Sequence, residues 1–272
     1  MSPYVGAGLR VATCVGVAYL VLCLPLMLGQ AKYVFSPTRV VGLTPAYFDL
    51  EFEAVTLRTD DGESLSAWYI PAKGAQWTVL FCHGNGGNIG GRLDTIKTFH
   101  DLGMNVMIFD YRGYGESTGV PGERGTYLDV RSAWEYLRDE KELVADKLIL
   151  FGRSLGGAVA AWQAEQVSPA LLVLESTFTS APDMAAEMFP IMPARLLCKF
   201  GYDTLSRVSD LSCPLIIAHG KEDKVVKYGH GRAIYEAARE PKRFIDLDGG
   251  HNGGGIDGDA AYQEMVLSML IL

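Results

Sequence analysis

A basic face is the first thing this chain lacks. Its 272 residues carry 24 lysines and arginines against 32 aspartates and glutamates, a formal net charge of -8. Nucleic acid and anionic lipid both demand a concentration of positive charge, so binding to nucleic acid and charge-driven membrane adhesion are excluded as primary roles. Cysteine and histidine are scarce, at five each. They are scattered and not set at metal-ligand spacing, so no metal site is expected. Cys14 and Cys23 fall inside an apolar run, leaving Cys82, Cys198 and Cys213 as an odd trio compatible with a reducing compartment. Cys82 ends a predicted buried strand, where a thiol serves as a small hydrophobe. Internal repeats and low-complexity tracts are absent. No glycine loop ends in Gly-Lys-Ser/Thr, and no Gly-x-Gly-x-x-Gly opens a helix with an acidic residue beyond it. Phosphate-loop and dinucleotide chemistry are thereby set aside, and no cofactor is implied.

Charge is missing altogether from Val11 to Ala31. Val11 to Leu28 is almost wholly apolar, close to the roughly 20 residues that cross a bilayer. Gly29-Gln30-Ala31 resembles a signal-peptidase site, but the apolar run is longer than the usual core of a cleaved signal. The expectation is a retained N-terminal transmembrane helix within residues 1–31, followed by a catalytic domain over 32–272. Tyr33 to Leu50 would be a connector folding onto that domain. Arg10 precedes the span and Lys32 and Arg39 follow it, a slight lean toward a cytoplasmic catalytic domain.

The remainder alternates. Apolar, strand-like runs occur at Phe52–Leu57, Ser64–Ile70, Thr78–Cys82, Asn105–Tyr111, Lys147–Phe151, Ala170–Leu174, Pro214–Ala218 and Arg243–Leu247. Helix-like segments follow at Arg92–Leu102, Thr126–Leu137, Gly157–Gln166, Gly231–Glu240 and Asp259–Leu270. Continuous apolar strands alternating with helices predict an α/β fold, with a mostly parallel eight-stranded sheet covered on both faces. The first two runs, joined by Asp60-Asp61-Gly62, read as an antiparallel edge hairpin.

Gly152-Arg153-Ser154-Leu155-Gly156 lies between a strand-like run and a small-residue helix, which places Ser154 at the apex of a sharp turn. A serine hydroxyl is a poor nucleophile at neutral pH; it needs a histidine to take its proton and an acid to orient that histidine. His251, in Gly249-Gly250-His251-Asn252-Gly253, and Asp223, in His219-Gly220-Lys221-Glu222-Asp223, follow strand-like runs in the order serine, acid, histidine. Glu175, ending the sixth run, is the rival acid. His83-Gly84-Asn85-Gly86-Gly87 follows the third run, and the backbone N–H groups of Asn85 and Leu155 are assigned to an oxyanion hole.

Alternation breaks between the sixth and seventh strands. Residues 180–209 hold three prolines together with Met184, Met188, Phe189, Met192, Leu196, Leu197 and Phe200. An insertion here would overlie the carboxyl ends of the strands, where open α/β sheets bind ligands. It is the candidate lid, with Met188, Phe189 and Met192 contacting substrate; an extra packing helix is the alternative. An apolar, flexible lining favours an acyl chain over a sugar or peptide.

Taken together, His83-Gly84-Asn85-Gly86-Gly87-Asn88, Phe109-Asp110-Tyr111-Arg112-Gly113-Tyr114-Gly115-Glu116-Ser117, Gly152 to Gly157, Glu175 to Ser180, His219 to Asp223 and Gly250-His251-Asn252 resemble an α/β-hydrolase. The resemblance is to the membrane-anchored branch related to protein depalmitoylases and to the serine-aminopeptidase and monoacylglycerol-lipase-like domain. It implies Ser154 as nucleophile, Asp223 as orienting acid, His251 as general base, Asn85 and Leu155 as oxyanion donors, and a bracing role for Asp110 to Ser117. Depalmitoylases of animal cells attach through clustered lipidated cysteines, whereas this chain has an apolar span and only Cys14 and Cys23. The expected activity is hydrolysis of acyl esters or thioesters of lipid or acylated substrates. An aminopeptidase or amidase, holding an amine with Glu175, Asp183 and Glu187, is the second reading. A non-catalytic membrane-anchored scaffold is the third. Oligomeric state is not legible.

Overall fold

The computed structural model describes residues 13–14, 19, 21, 23–25 and 27–271. Half of Val11 to Leu28 therefore lies outside the described residues, and much of the expected span with it. Among the described residues no helix is long and apolar enough to cross a membrane.

Eight strands form one sheet: β1 (Glu53–Arg58), β2 (Ser64–Ile70), β3 (Thr78–Cys82), β4 (Asn105–Phe109), β5 (Leu148–Arg153), β6 (Leu171–Glu175), β7 (Leu215–Gly220) and β8 (Lys242–Leu247). Their spatial order is β1-β2-β4-β3-β5-β6-β7-β8. β2 runs antiparallel to both β1 and β4, and every other neighbouring pair is parallel. The hairpin with the more polar sequence is thus the edge, where β1 keeps only Leu57 buried. The apolar strands β3 and β6 are buried at every position, as a sheet covered on both faces requires.

Period-two alternation sends successive side chains to opposite faces. Val79 and Phe81 join one core with Ile149 and Val173, while Leu80 and Cys82 join the other with Leu150 and Leu172. Helices α1 (Leu93–Asp101) and α8 (Ala260–Met269) cover the first face through Ile96, Phe99, Val266 and Met269. The second face is covered by α2 (Glu123–Asp139), α3 (Leu155–Val167), α6 (Thr204–Asp210) and α7 (Tyr228–Ala237). In α2, Tyr127, Val130, Trp134 and Leu137 recur at helical spacing and are buried.

The 180–209 insertion folds as α4 (Ala181–Met188), α5 (Ala194–Leu197) and the start of α6. Ser180 caps α4 by accepting from the Asp183 N–H, with proline in the first turn.

The connector after the apolar segment is a strap. Gln30–Val34 is a short helix, and Ser36–Pro37 then pairs in parallel with Gly86–Gly87. Gln30 Nε2 donates to Leu197 O at 2.7 Å, and Lys199 N donates to Gln30 Oε1 at 2.7 Å. Phe35, 5% exposed, packs edge-on against Phe200 and Tyr202. The strap joins the insertion to the loop after β3.

Candidate active site

Ser154 sits where β5 becomes α3, with φ 55° and ψ -120°. Holding a non-glycine residue there costs about 1–3 kcal/mol, which neighbouring structure must offset. Ser154 N donates to Glu175 O at 2.9 Å, and Thr177 Oγ1 donates to Ser154 O at 2.7 Å. The flanking glycines are required by space. A Cβ on Gly156 would lie 1.9 Å from Cys82 O, and one on Gly152 would lie 2.4 Å from Gly156 O.

His251 Nε2 lies 3.1 Å from Ser154 Oγ, and His251 Nδ1 lies 2.7 Å from Asp223 Oδ2. A carboxylate accepts only, so Nδ1 carries the proton and the Nε2 lone pair faces the serine. Asp223 Oδ1 accepts from Val225 N and Val226 N at 2.8 and 2.9 Å. Burial pushes the Asp223 carboxyl up, but the His251 hydrogen bond and these amides outweigh it and hold the group below its usual value. The pair is graded in exposure: the Asp223 side chain is fully buried, and that of His251 is 14% exposed. Each of these residues leaves the carboxyl end of a strand, at the crevice where α/β sheets bind ligands.

Glu175 does not reach this relay. It stands beside Arg153 in the β5–β6 register and forms an ion pair with it, while its second oxygen accepts from Ile256 N at 3.1 Å. Asp223 alone of the two acids orients His251.

The loop after β3 is fixed from both sides. Asn85 Nδ2 donates to Val34 O at 3.1 Å, and Asn85 O accepts from Ser36 N at 3.1 Å and Tyr114 Oη at 2.8 Å. Tyr111 Oη donates to His83 O at 2.9 Å. The Asp110–Ser117 loop thus braces the loop that carries Asn85. Cys82 is fully buried and burial pushes its thiol well up, in keeping with a core role.

Ser154, Leu155, Asn85 and His251 line one cavity of about 750 Å³. Met184, Met188, Phe189, Met192, Leu197 and Phe200 form its insertion wall, so all three expected substrate-contacting residues are present. Glu175, Asp183 and Glu187 do not line it. Asp183 pairs with Arg195, and Glu187 with Lys227 and His230. No group of side chains that could hold a metal ion occurs among the described residues.

The family described as serine aminopeptidase, S33, matches residues 73–200. Uncharacterized protein Rv2307c of Mycobacterium tuberculosis is 38% identical over 201 residues, 73% of this chain and 72% of its own. The α/β-hydrolase domain-containing protein WAV2 of Arabidopsis thaliana is 30% identical, over 89% of this chain and 87% of that protein. This chain belongs to the α/β-hydrolases. The Pyrococcus furiosus esterase Pf2001 shares the hydrolase fold with a TM-score of 0.73 at 22% identity, over 87% of this chain and 98% of that one.

The sequence reading expected a connector folding onto the domain and a bracing role for Asp110 to Ser117, but not the bonds that either makes, and it missed Arg92. The tyrosine hydroxyls and the strap act across dozens of residues and leave no local pattern. Arg92, which also lines the cavity, carried a usable signal: it stands just before α1 at the N-terminal, positive end of the helix dipole, where acids are the usual occupants.

Proposed function

We propose that this hydrolase cleaves acyl esters or thioesters through a covalent acyl-Ser154 intermediate. The observation that carries the reading is the aligned Ser154–His251–Asp223 relay, with contacts of 3.1 and 2.7 Å, opening onto a cavity with a methionine-rich wall. Ser154 Oγ attacks the carbonyl carbon as His251 Nε2 takes its proton, and Asp223 stabilises the resulting imidazolium. The N–H groups of Asn85 and Leu155 receive the oxyanion, a donor of this kind contributing about 3–4 kcal/mol to barrier lowering. Collapse breaks the bond to the alkoxide or thiolate, which leaves with the proton from His251. Water, deprotonated by His251, then attacks the acyl-enzyme and regenerates Ser154.

Esters are favoured over aminoacyl substrates because Glu175, Asp183 and Glu187 are each occupied by a cation and none faces the cavity. Attachment through the apolar segment belongs to the same proposal. Its support is the charge-free run Val11 to Ala31, together with Met188, Ile191 and Leu196, which lie 56, 87 and 87% exposed on the insertion. Tyr19 Oη donates to Ile191 O at 3.0 Å, which sets these apolar side chains beside the segment.

Fluorophosphonate labelling of the detergent-solubilised chain, read by intact mass beside Ser154→Ala, tests the chemistry. A single adduct on the wild type that disappears in the variant is the expected result. A folded wild type without an adduct would return the hydrolase to the scaffold reading.

A further inference from the structure

The insertion side of the cavity is apolar, but the side that carries Ser154 and Asn85 holds two guanidiniums, Arg92 and Arg153. They differ in how their charge is met. Arg153 forms ion pairs with Glu175 and Asp257. Arg92 donates to Gly86 O, its Nε is buried without a partner, and no carboxylate of the described residues comes within ion-pair distance of it. A half-buried charge left in this state is costly. Its surroundings add to the cost. Burial, and then the nearby Arg153, pull the Arg92 guanidinium below its ordinary value, against Tyr111, Asp110 and Tyr114. Arg92 also stands at the N-terminus of α1, where backbone N–H groups are themselves positive.

A cation kept against desolvation, a like charge and a helix dipole is relieved by an anion supplied from the cavity. We propose that Arg92 forms an anion subsite, and that the substrate is an acyl ester bearing a phosphate close to its scissile bond. The inference rests on the ester-hydrolase reading and deepens it. Placement sets the spacing. Arg92 holds Gly86, the residue after Asn85, so the anion sits one residue along the loop from the oxyanion donor. The acyl chain then lies along Met184, Met188 and Met192, and the phosphorylated alcohol faces Arg92. Hydrolysis proceeds through Ser154 as above; Arg92 binds and transfers no proton.

The test measures kcat/KM of the full-length chain in nonionic micelles on three palmitoyl substrates at equal mole fraction. They are palmitoyl glycerol phosphate, neutral palmitoyl glycerol, and palmitoyl coenzyme A, whose phosphates lie far from the thioester. The expected order places the glycerol phosphate ester at least tenfold above the neutral ester. Preference for the coenzyme A thioester over both would overturn the short spacing. Arg92→Gln retains a donor for Gly86 O but not the charge, and should lower the anionic-to-neutral ratio about tenfold, mostly through KM. Arg92→Lys should restore part of it. A ratio that stays the same in Arg92→Gln would overturn the subsite and leave Arg92 as a brace of the loop. Neutral ester cleaved in a Ser154-dependent way without phosphate preference would sink the subsite alone. Failure to cleave any of the three would sink the hydrolase reading and the subsite with it.

Discussion

Of the histidine–aspartate pairs at the carboxyl end of this sheet, His251–Asp223 is arranged to move a proton and His83–Asp110 is not. His251 and Asp223 lie 2.7 Å apart, and the other histidine nitrogen faces Ser154. His83 and Asp110 lie 3.5 Å apart, both side chains fully buried. The His83 Nδ1 proton is donated to Gly84 O at 2.7 Å, its Nε2 has no hydrogen-bond partner, and its ring packs against Tyr111 and Tyr114. Asp110 instead accepts from Ile89 N at 2.9 Å. The two imidazoles share a tautomer. The difference lies in what Nε2 meets: a hydroxyl at the edge of a cavity for His251, the buried Asp110 carboxylate at 3.5 Å for His83. Residue type and proximity make a pair; alignment and access make it a relay.

Substitution should separate the two pairs, and the largest effect belongs to the relay. Asp223→Asn, which favours the wrong tautomer, should reduce ester turnover by about 10³–10⁴-fold while the fold persists. Comparable turnover in the variant would erase the distinction between the pairs. Next comes the sheet beneath them. Leu150→Ala empties a fully buried position and should cost about 2–5 kcal/mol in denaturant unfolding. At the closed pair, Asp110→Ala leaves Ile89 N unsatisfied and should cost about 1–3 kcal/mol of stability, with turnover of the folded fraction within a few-fold of wild type. A collapse in turnover at preserved stability would show the closed pair to be catalytic after all. Tyr114→Phe removes one hydrogen bond to Asn85 O and should cost about 0.5–1.5 kcal/mol.

Acidity offers a further contrast. The Asp223 carboxyl is held below its ordinary value of 3.8, so its ionised form is favoured by folding. That contribution to stability is fully present above the ordinary value and is lost as pH falls through the lower folded one. The stability difference between wild type and Asp223→Asn should therefore shrink with acidification below roughly pH 4. A gap that is constant with pH would mean the charge is not what the relay stabilises.

The sheet was legible in the sequence because its signals are local. All eight apolar runs are strands, and the hairpin with more polar residues is the antiparallel edge. Ser154, His251 and Asp223 were legible as residues because each follows a strand-like run in a glycine-containing loop. Choosing between Asp223 and Glu175 was harder, since both end strands. The sequence carries no mark of the Arg153 ion pair that occupies Glu175 or of the Ile256 N–H that completes it.

The strap carries a mechanical consequence. Val34, Ser36 and Thr38 are bonded to Asn85, Gly87 and Asn88, and Arg39 reaches Ser117 O at 2.8 Å. A few residues upstream, Gln30 is tied to Leu197 and Lys199. A fragment trimmed at residue 42 to remove the apolar start would strip the loop beside Ser154 of these bonds and leave the Asn88 amide without Thr38 and Val40. Trimming at residue 29 would keep them all. For anyone dissecting the chain, the severable joint lies before Gln30, and the stretch from there to Val40 is working scaffold of the active site.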